Sequence, residues 1–211
     1  KINQGSILMS KLAHRLLVFF VGLPLVLCLV FFNFFHYFVL NIAIIVFTGL
    51  AANELCNMMK HKGLTLYNKP LIIIFSVLLP VCAFNIILFN LSFDYLYWIY
   101  LFEILVLMTI ECFSAKEFTL SVEKISFSSF IIFYTGFLMT FLSRLSSIPN
   151  NTSVFIILYL LMVFLCDSGA WLFGMLFGKS SRGIVKASPN KSLVGFIGGI
   201  LSSIAIGILM K

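Results

Sequence analysis

Ser188-Pro189-Asn190-Lys191-Ser192-Leu193-Val194-Gly195-Phe196-Ile197-Gly198-Gly199 runs from polar turn residues straight into an apolar stretch that continues to Met210. It reads as the mouth of a membrane-spanning helix. Ser188 suits the N-cap and Pro189 the first helical position, where a missing N–H leaves nothing unpaired. The free N–H groups of such a helix end attract anions, and Lys191 adds a full positive charge there. Gly195, Gly198 and Gly199 allow another backbone to approach closely. The stretch therefore predicts a membrane protein that handles a phosphorylated ligand at one membrane face.

The rest of the chain agrees with a membrane setting. Of its 211 residues 62% are hydrophobic and 10% charged, with a mean hydropathy of +1.14. That excludes a soluble domain, because so much apolar surface needs lipid or other spanning helices against it. The net charge of +7 does not point to nucleic acid, since no soluble face carries a basic patch with interleaved aromatics. Cys28, Cys56, Cys82, Cys112 and Cys166 lie in or beside apolar runs. Their spacing fits no zinc site, and they read as buried small hydrophobes.

The expected fold is all-α: a polytopic integral membrane protein with about seven spans, each about 20 residues long to cross about 30 Å of hydrocarbon. The spans fall roughly at 16–33, 36–59, 70–91, 94–112, 126–146, 152–178 and 192–210. Residues 1–15 precede them, and 16–211 form one transmembrane domain. Polar and turn residues mark the breaks, among them Asn33 to His36, Lys60 to Gly63, Asn68-Lys69-Pro70 and Ser147 to Thr152. No internal repeat supports an inverted-repeat transporter.

Charge placement orients this topology. With the N-terminus in the cytoplasm, twelve of the fourteen basic residues fall inside, leaving only Arg144 and Lys211 outside. Such a bias is the positive-inside pattern. It makes the loop from Lys179 to Lys191 cytoplasmic, on the side where nucleotides are found.

Asp167 is the first candidate for chemistry. It lies about 16 Å of helix from Gly178, too deep for a carboxylate without a cavity, a partner or a metal. The competing reading is a structural aspartate hydrogen-bonded within the bundle. The basic loop is the second candidate, with Lys179, Arg182, Lys186 and Lys191 within thirteen residues. Positive-inside topology alone produces basic loops; the Ser188 helix start and the glycines tip the reading towards phosphate. Ala170, Gly174 and Gly178 recur on one helix, and Gly195, Gly199, Ser203 and Gly207 on the next. Such small-residue stripes let helices pack tightly, bring Asp167's helix to the Lys191 helix, and suggest a homodimer. Glu54 is expected to snorkel or pair with a lysine. Glu103 and Glu111, eight residues apart on one face, are expected in structural pairs.

Together, Asp167-Ser168-Gly169-Ala170-Trp171, Gly174, Leu176-Phe177-Gly178-Lys179, Ser188-Pro189-Asn190-Lys191-Ser192 and Gly195-Phe196-Ile197-Gly198-Gly199 resemble the bacterial CDP-diacylglycerol synthases, or phosphatidate cytidylyltransferases. The N-terminal half is similar more weakly, at Pro24 and Asn53-Glu54-Leu55. The resemblance implies a nucleotidyltransferase of phospholipid synthesis in the cell (inner) membrane. It would convert CTP and phosphatidate to CDP-diacylglycerol and pyrophosphate with magnesium. It also implies catalysis at Asp167, and substrate binding by Lys179, Arg182, Lys186, Ser188, Lys191, Ser192, Gly195, Gly198 and Gly199.

The chain departs from the family pattern in places. Ser192-Leu193 stands where the family has Thr-Trp, and Val194 where it has Glu or Gln. The family also continues into a His-Gly-Gly element and an Asp-Arg-x-Asp cluster, the expected magnesium ligands, and this chain stops at Lys211 before them. The expectation is a C-terminally truncated enzyme. The alternatives are an inactive relative or a helical membrane scaffold; a small transporter or channel would need broken helices or a polar stripe through several spans.

Overall fold

A computed structural model describes residues 34–183, 186 and 188–210, together with Gly22, Pro24, Cys28, Val30 and Phe31. Among these residues the long elements are all helices, and the β pairing is one isolated bridge between Arg182 and Ser192. Contacts divide the chain into two compact units, Phe32–Thr152 and Ser153–Lys211 with Lys1–Phe31.

The Phe32–Thr152 unit holds α1 (Phe34–His61), α2 (Lys69–Leu88) and α3 (Tyr95–Ser114). Its fourth span is α4 (Ser121–Ile131), a π-helical segment (Ile132–Phe137) and α5 (Leu138–Leu145) in direct succession. The second unit holds α6 (Thr152–Phe177), a short 3-10 turn (Lys179–Ser181) and α7 (Leu193–Leu209). Five spans among the described residues are long and apolar enough to cross a membrane; α7, at 17 residues, is shorter. These six match the six predicted runs from 36 onward. The predicted first span, 16–33, lies largely outside the described residues, as does the segment 1–15.

The breaks follow local chemistry. Phe35, His36 and Tyr37 take left-handed φ of 47°, 51° and 58°, so the chain turns where Asn33 to His36 predicts. α1 ends where Gly63 takes φ 78°. The Gly63 and Leu64 N–H groups then donate back to the Lys60 and Met59 carbonyls, an arrangement that glycine adopts without strain. Pro70 sits in the first turn of α2, where its missing N–H costs nothing.

In lipid there is little hydrophobic drive between helices, so close packing and internal hydrogen bonds hold them. The Phe32–Thr152 unit shows both. Ile72 and Leu79 of α2, Leu107 of α3, and Ile131 and Ile132 at the start of the π-helical segment are fully buried. Pro80, inside α2, has no N–H to offer the Ser76 carbonyl four residues back. Gly136 of the π-helical segment packs against that freed carbonyl, and a Cβ there would stand 2.6 Å from it. Thr135 compensates for the widened turn. Its Oγ1 donates to the Ile131 carbonyl at 2.8 Å and lies 3.2 Å from Ser76 Oγ.

All five cysteines are free thiols. Cys56 is buried, as the apolar reading expects, whereas Cys28 and Cys112 are exposed.

Candidate functional site

The site is built in the second unit, where α6 and α7 pack nearly backbone to backbone. A Cβ on Gly195 would lie 2.7 Å from the Ala170 carbonyl oxygen, and one on Gly199 2.8 Å from that of Cys166. One on Gly169 would run into Ser202 Oγ, and one on Gly198 would meet Phe173 at 2.5 Å. Ser203 Oγ donates to the Met162 carbonyl at 3.0 Å, adding a polar tie between the helices. The two small-residue stripes therefore meet each other. Gly195, Gly198 and Gly199 are buried in this contact, and among the α7 glycines only Gly207 has open space around it. This is the approach of Asp167's helix to the Lys191 helix that the stripes predict.

The start of α7 also needs correction. Ser188 is not its N-cap. Ser192 is, with extended φ −115° and ψ 151°, and its Oγ accepts the Gly195 N–H at 3.1 Å. Ser188 instead opens a turn through Pro189 and Asn190, closed by the Lys191 N–H donating to the Ser188 carbonyl at 3.0 Å. Ser-Pro starts a turn as readily as a helix, since proline's fixed φ suits the second turn position. Ser192 prevails because its hydroxyl satisfies a helix N–H and its backbone pairs with Arg182.

This arrangement gathers several predicted residues at one helix mouth. The Arg182–Ser192 bridge brings Arg182 to the α7 start. Lys191 is the residue before the N-cap, exposed, with Nζ 5.7 Å from the Phe196 ring centre. Lys179 follows the end of α6 in the 3-10 turn. Lys186 is exposed in the loop between them. Gly174 of α6 and Gly178, just past its end, leave room for Ser192 Oγ, which is buried against them. The result is an exposed, cation-rich loop pinned at both ends around a helix N-terminus, an anion-accepting arrangement.

Asp167 stands apart from that mouth. Its neighbour Cys166 is level with Gly199, seven residues or about 10 Å of helix above Ser192. It is exposed on α6 although it lies in the middle of a span. None of the loop cations reaches it, since the salt bridge found among the described residues is elsewhere, Lys124 to Glu111. Among the described residues, no three His, Cys, Asp or Glu side chains come together. A lone Asp167 does not supply the oxygen set magnesium takes, so these residues do not fit that metal.

The other acids divide. Glu111 is structurally paired, as expected: Lys124 Nζ donates to it at 2.7 Å and Ser121 Oγ at 2.8 Å. Lys124 also lies over the Tyr67 ring, and the Tyr67 hydroxyl donates to the Leu107 carbonyl at 2.7 Å. Burial pushes the Tyr67 phenol well above its ordinary range, with Glu111 adding to the effect. Glu54 is exposed on α1. Glu103 departs from the expectation: it is buried, and neither carboxylate oxygen has a hydrogen-bond partner among the described residues.

The pinned basic loop, the glycine-packed helix pair and the intramembrane aspartate lie within a longer match. The cytidylyltransferase family model matches residues 13–211. The chain belongs to the cytidylyltransferase family. A phosphatidate cytidylyltransferase of Staphylococcus epidermidis is 46% identical over 57 residues, covering 27% of this chain and 22% of that protein. One from Staphylococcus aureus is 43% identical over 56 residues, covering 26% of this chain and 21% of that protein. One from Caenorhabditis elegans is 28% identical over 124 residues, covering 56% of this chain and 26% of that protein. The matched part thus spans about a fifth to a quarter of these relatives' length. No solved structure matches this cytidylyltransferase-family chain.

Proposed function

We propose that this membrane protein is a phosphatidate cytidylyltransferase of phospholipid synthesis, taking CTP and phosphatidate at the cytoplasmic face of the inner cell membrane. The observation that carries the reading is the Arg182–Ser192 bridge, which holds Arg182 and Lys191 together at the α7 mouth. In the reaction a phosphatidate phosphate oxygen bonds to the α-phosphorus of CTP. The bond from that phosphorus to the bridging oxygen breaks, and pyrophosphate leaves. The nucleophile is already an anion, so the protein's task is to position two polyanions and offset their charge. Lys191, Arg182, Lys179 and Lys186 supply that positive charge, and the N–H groups at the α7 start add oriented dipoles. Asp167, higher on α6, sits at the depth of the lipid partner. With twelve of fourteen basic residues on the loop side, the N-terminus is cytoplasmic.

A second reading, a catalytically inactive relative or a membrane scaffold, is favoured by one observation. Asp167 has no companion carboxylate in the second unit. Labelled CTP and phosphatidate, with magnesium and the purified chain in lipid, decide between the two. Labelled CDP-diacylglycerol, lost in Asp167→Asn, establishes the enzyme. No product from the folded chain, under conditions where a staphylococcal relative turns over, establishes the second reading.

A further inference from the structure

Glu103 is the most demanding side chain of the Phe32–Thr152 unit. It lies in α3, eleven residues or about 16 Å of helix from Ser114. It is 2% exposed, and both its oxygens are unpartnered among the described residues. A buried carboxylate without a partner either takes up a proton or acquires a counter-charge, because an isolated charge out of water is far too costly.

Among the described residues, the surroundings supply no counter-charge. The elements packed on α3 are α2, α4 and the π-helical segment. From α2, Cys82 is the titratable group close enough to sense Glu103, and Tyr100 senses it from α3 itself; neither is a cation. α4 carries Glu123, which accepts from Thr65, and Lys124, which is bound to Glu111. The π-helical segment carries Tyr134, exposed and stacked on Phe130. The antiparallel register fixes what lies level with Glu103. Glu111 meets Ser121 and Lys124, while Tyr100 stands against Phe133 and Phe137. Residues 129–132 are therefore opposite Glu103, and there Ser129 Oγ is also buried and unpartnered. The same helix pair thus treats its two acids differently, neutralising Glu111 with a lysine and leaving Glu103 with none.

We propose that Glu103 is a proton-binding site inside the membrane-spanning bundle, holding the carboxyl as a neutral acid so that α3 can pack on α2 and α4. Packing of this unit then depends on a bound proton, at a place remote from the basic loop in sequence and belonging to a different unit.

Infrared spectra of the chain in lipid at neutral pH, compared with Glu103→Gln, test this directly. The substitution should remove the carbonyl band of a protonated carboxyl and leave the carboxylate bands intact, whereas Glu111→Gln should remove carboxylate intensity. Loss of carboxylate intensity on Glu103→Gln would overturn the proposal and indicate a bound metal cation instead. Should that variant fail to fold, dicyclohexylcarbodiimide on the wild-type chain gives an independent answer. The acid proton moves to a carbodiimide nitrogen as the carboxyl oxygen bonds to the central carbon. The adduct then rearranges to an N-acylurea with nothing released. Peptide mass spectrometry should find the adduct on Glu103 and not on Glu111. A folded chain unlabelled at Glu103, which labels there once unfolded in acid, would equally overturn the proposal.

Discussion

Gly195 and Ala170 touch so closely that a Cβ on the glycine would stand 2.7 Å from the alanine's carbonyl oxygen. That contact fixes the height of α7 on α6. It therefore sets the distance between the Lys191 end of one helix and Asp167 on the other. A backbone carbonyl cannot swing aside as a flexible side chain can, so any side chain at 195 must push the helices apart.

Gly195→Ala should accordingly destabilise the protein by about 1–3 kcal/mol, the usual cost of overpacking. Gly207→Ala should leave stability unchanged or slightly raised, because a Cβ there meets nothing within 4 Å and alanine is the better helix former. Thermal unfolding of both variants in one detergent separates the two outcomes. Equal melting temperatures would mean that the α6–α7 contact is looser than described.

The capping assignment makes a second pair of expectations. Ser192→Ala removes the acceptor of the Gly195 N–H and should cost about 0.5–2 kcal/mol. Ser188→Ala keeps the turn, which is closed by the Ser188 backbone carbonyl rather than its hydroxyl, and should cost far less. Melts of the two variants check it, and the reverse order would restore Ser188 to the helix end.

These two cases show where sequence reasoning held and where it stopped. Span positions were legible because each apolar run is bounded by a residue with its own conformational demand. Gly63 needs positive φ, Pro70 fits a first turn, and the backbone takes left-handed φ around His36. The α7 start was not, because Ser188 and Ser192 both satisfy the local capping rules, and the choice between them depends on Arg182 across the loop. The π-helical segment was invisible for a similar reason: it depends on the Ser76 carbonyl of a different helix, freed by Pro80. Glu103 and Glu111 share a face and a residue type. Only the position of Lys124 on a neighbouring helix gives them different fates.

Charge removal at the helix mouth should act on substrate use rather than on folding. Lys191 and Arg182 are both exposed, and among the described residues no ion pair engages either. Lys191→Ala and Arg182→Ala should each lower kcat/KM for CTP. A lost hydrogen bond to a charged group is worth about 1.5–3 kcal/mol, so the drop is on the order of 10- to 100-fold. Steady-state kinetics with varied CTP, alongside an unchanged melting temperature, would confirm the assignment. Unaltered kinetics in both variants would remove the loop from the site.

The Lys124–Glu111 pair should behave in the opposite way, affecting stability rather than substrate use. Glu111 is 4% exposed and receives hydrogen bonds from both Lys124 and Ser121. Lys124→Ala leaves that buried carboxylate with the serine alone, and should cost about 1.5–3 kcal/mol. The loss should shrink in Lys124→Ala/Glu111→Gln, since a neutral amide removes the stranded charge. A double-mutant cycle on chemical unfolding measures the coupling, and additive losses would show that the two side chains act independently.

Tyr67 ties the 62–68 loop to this same cluster and gives an expectation in pH. Its phenol donates to the Leu107 carbonyl and is held well above its ordinary range by burial and by Glu111. An acid whose folded-state value is raised stabilises the protein fully while the unfolded phenol is still protonated, below about pH 10. Above that pH the unfolded state ionises first, and stability falls as pH rises towards the folded value. Tyr67→Phe removes the hydrogen bond at a cost of about 1 kcal/mol, and with it this part of the alkaline decline. Melting temperatures of the two proteins, followed from neutral to strongly alkaline pH, should therefore converge as the pH rises. A constant gap between them would mean that the Tyr67 phenol is not shielded in the folded protein.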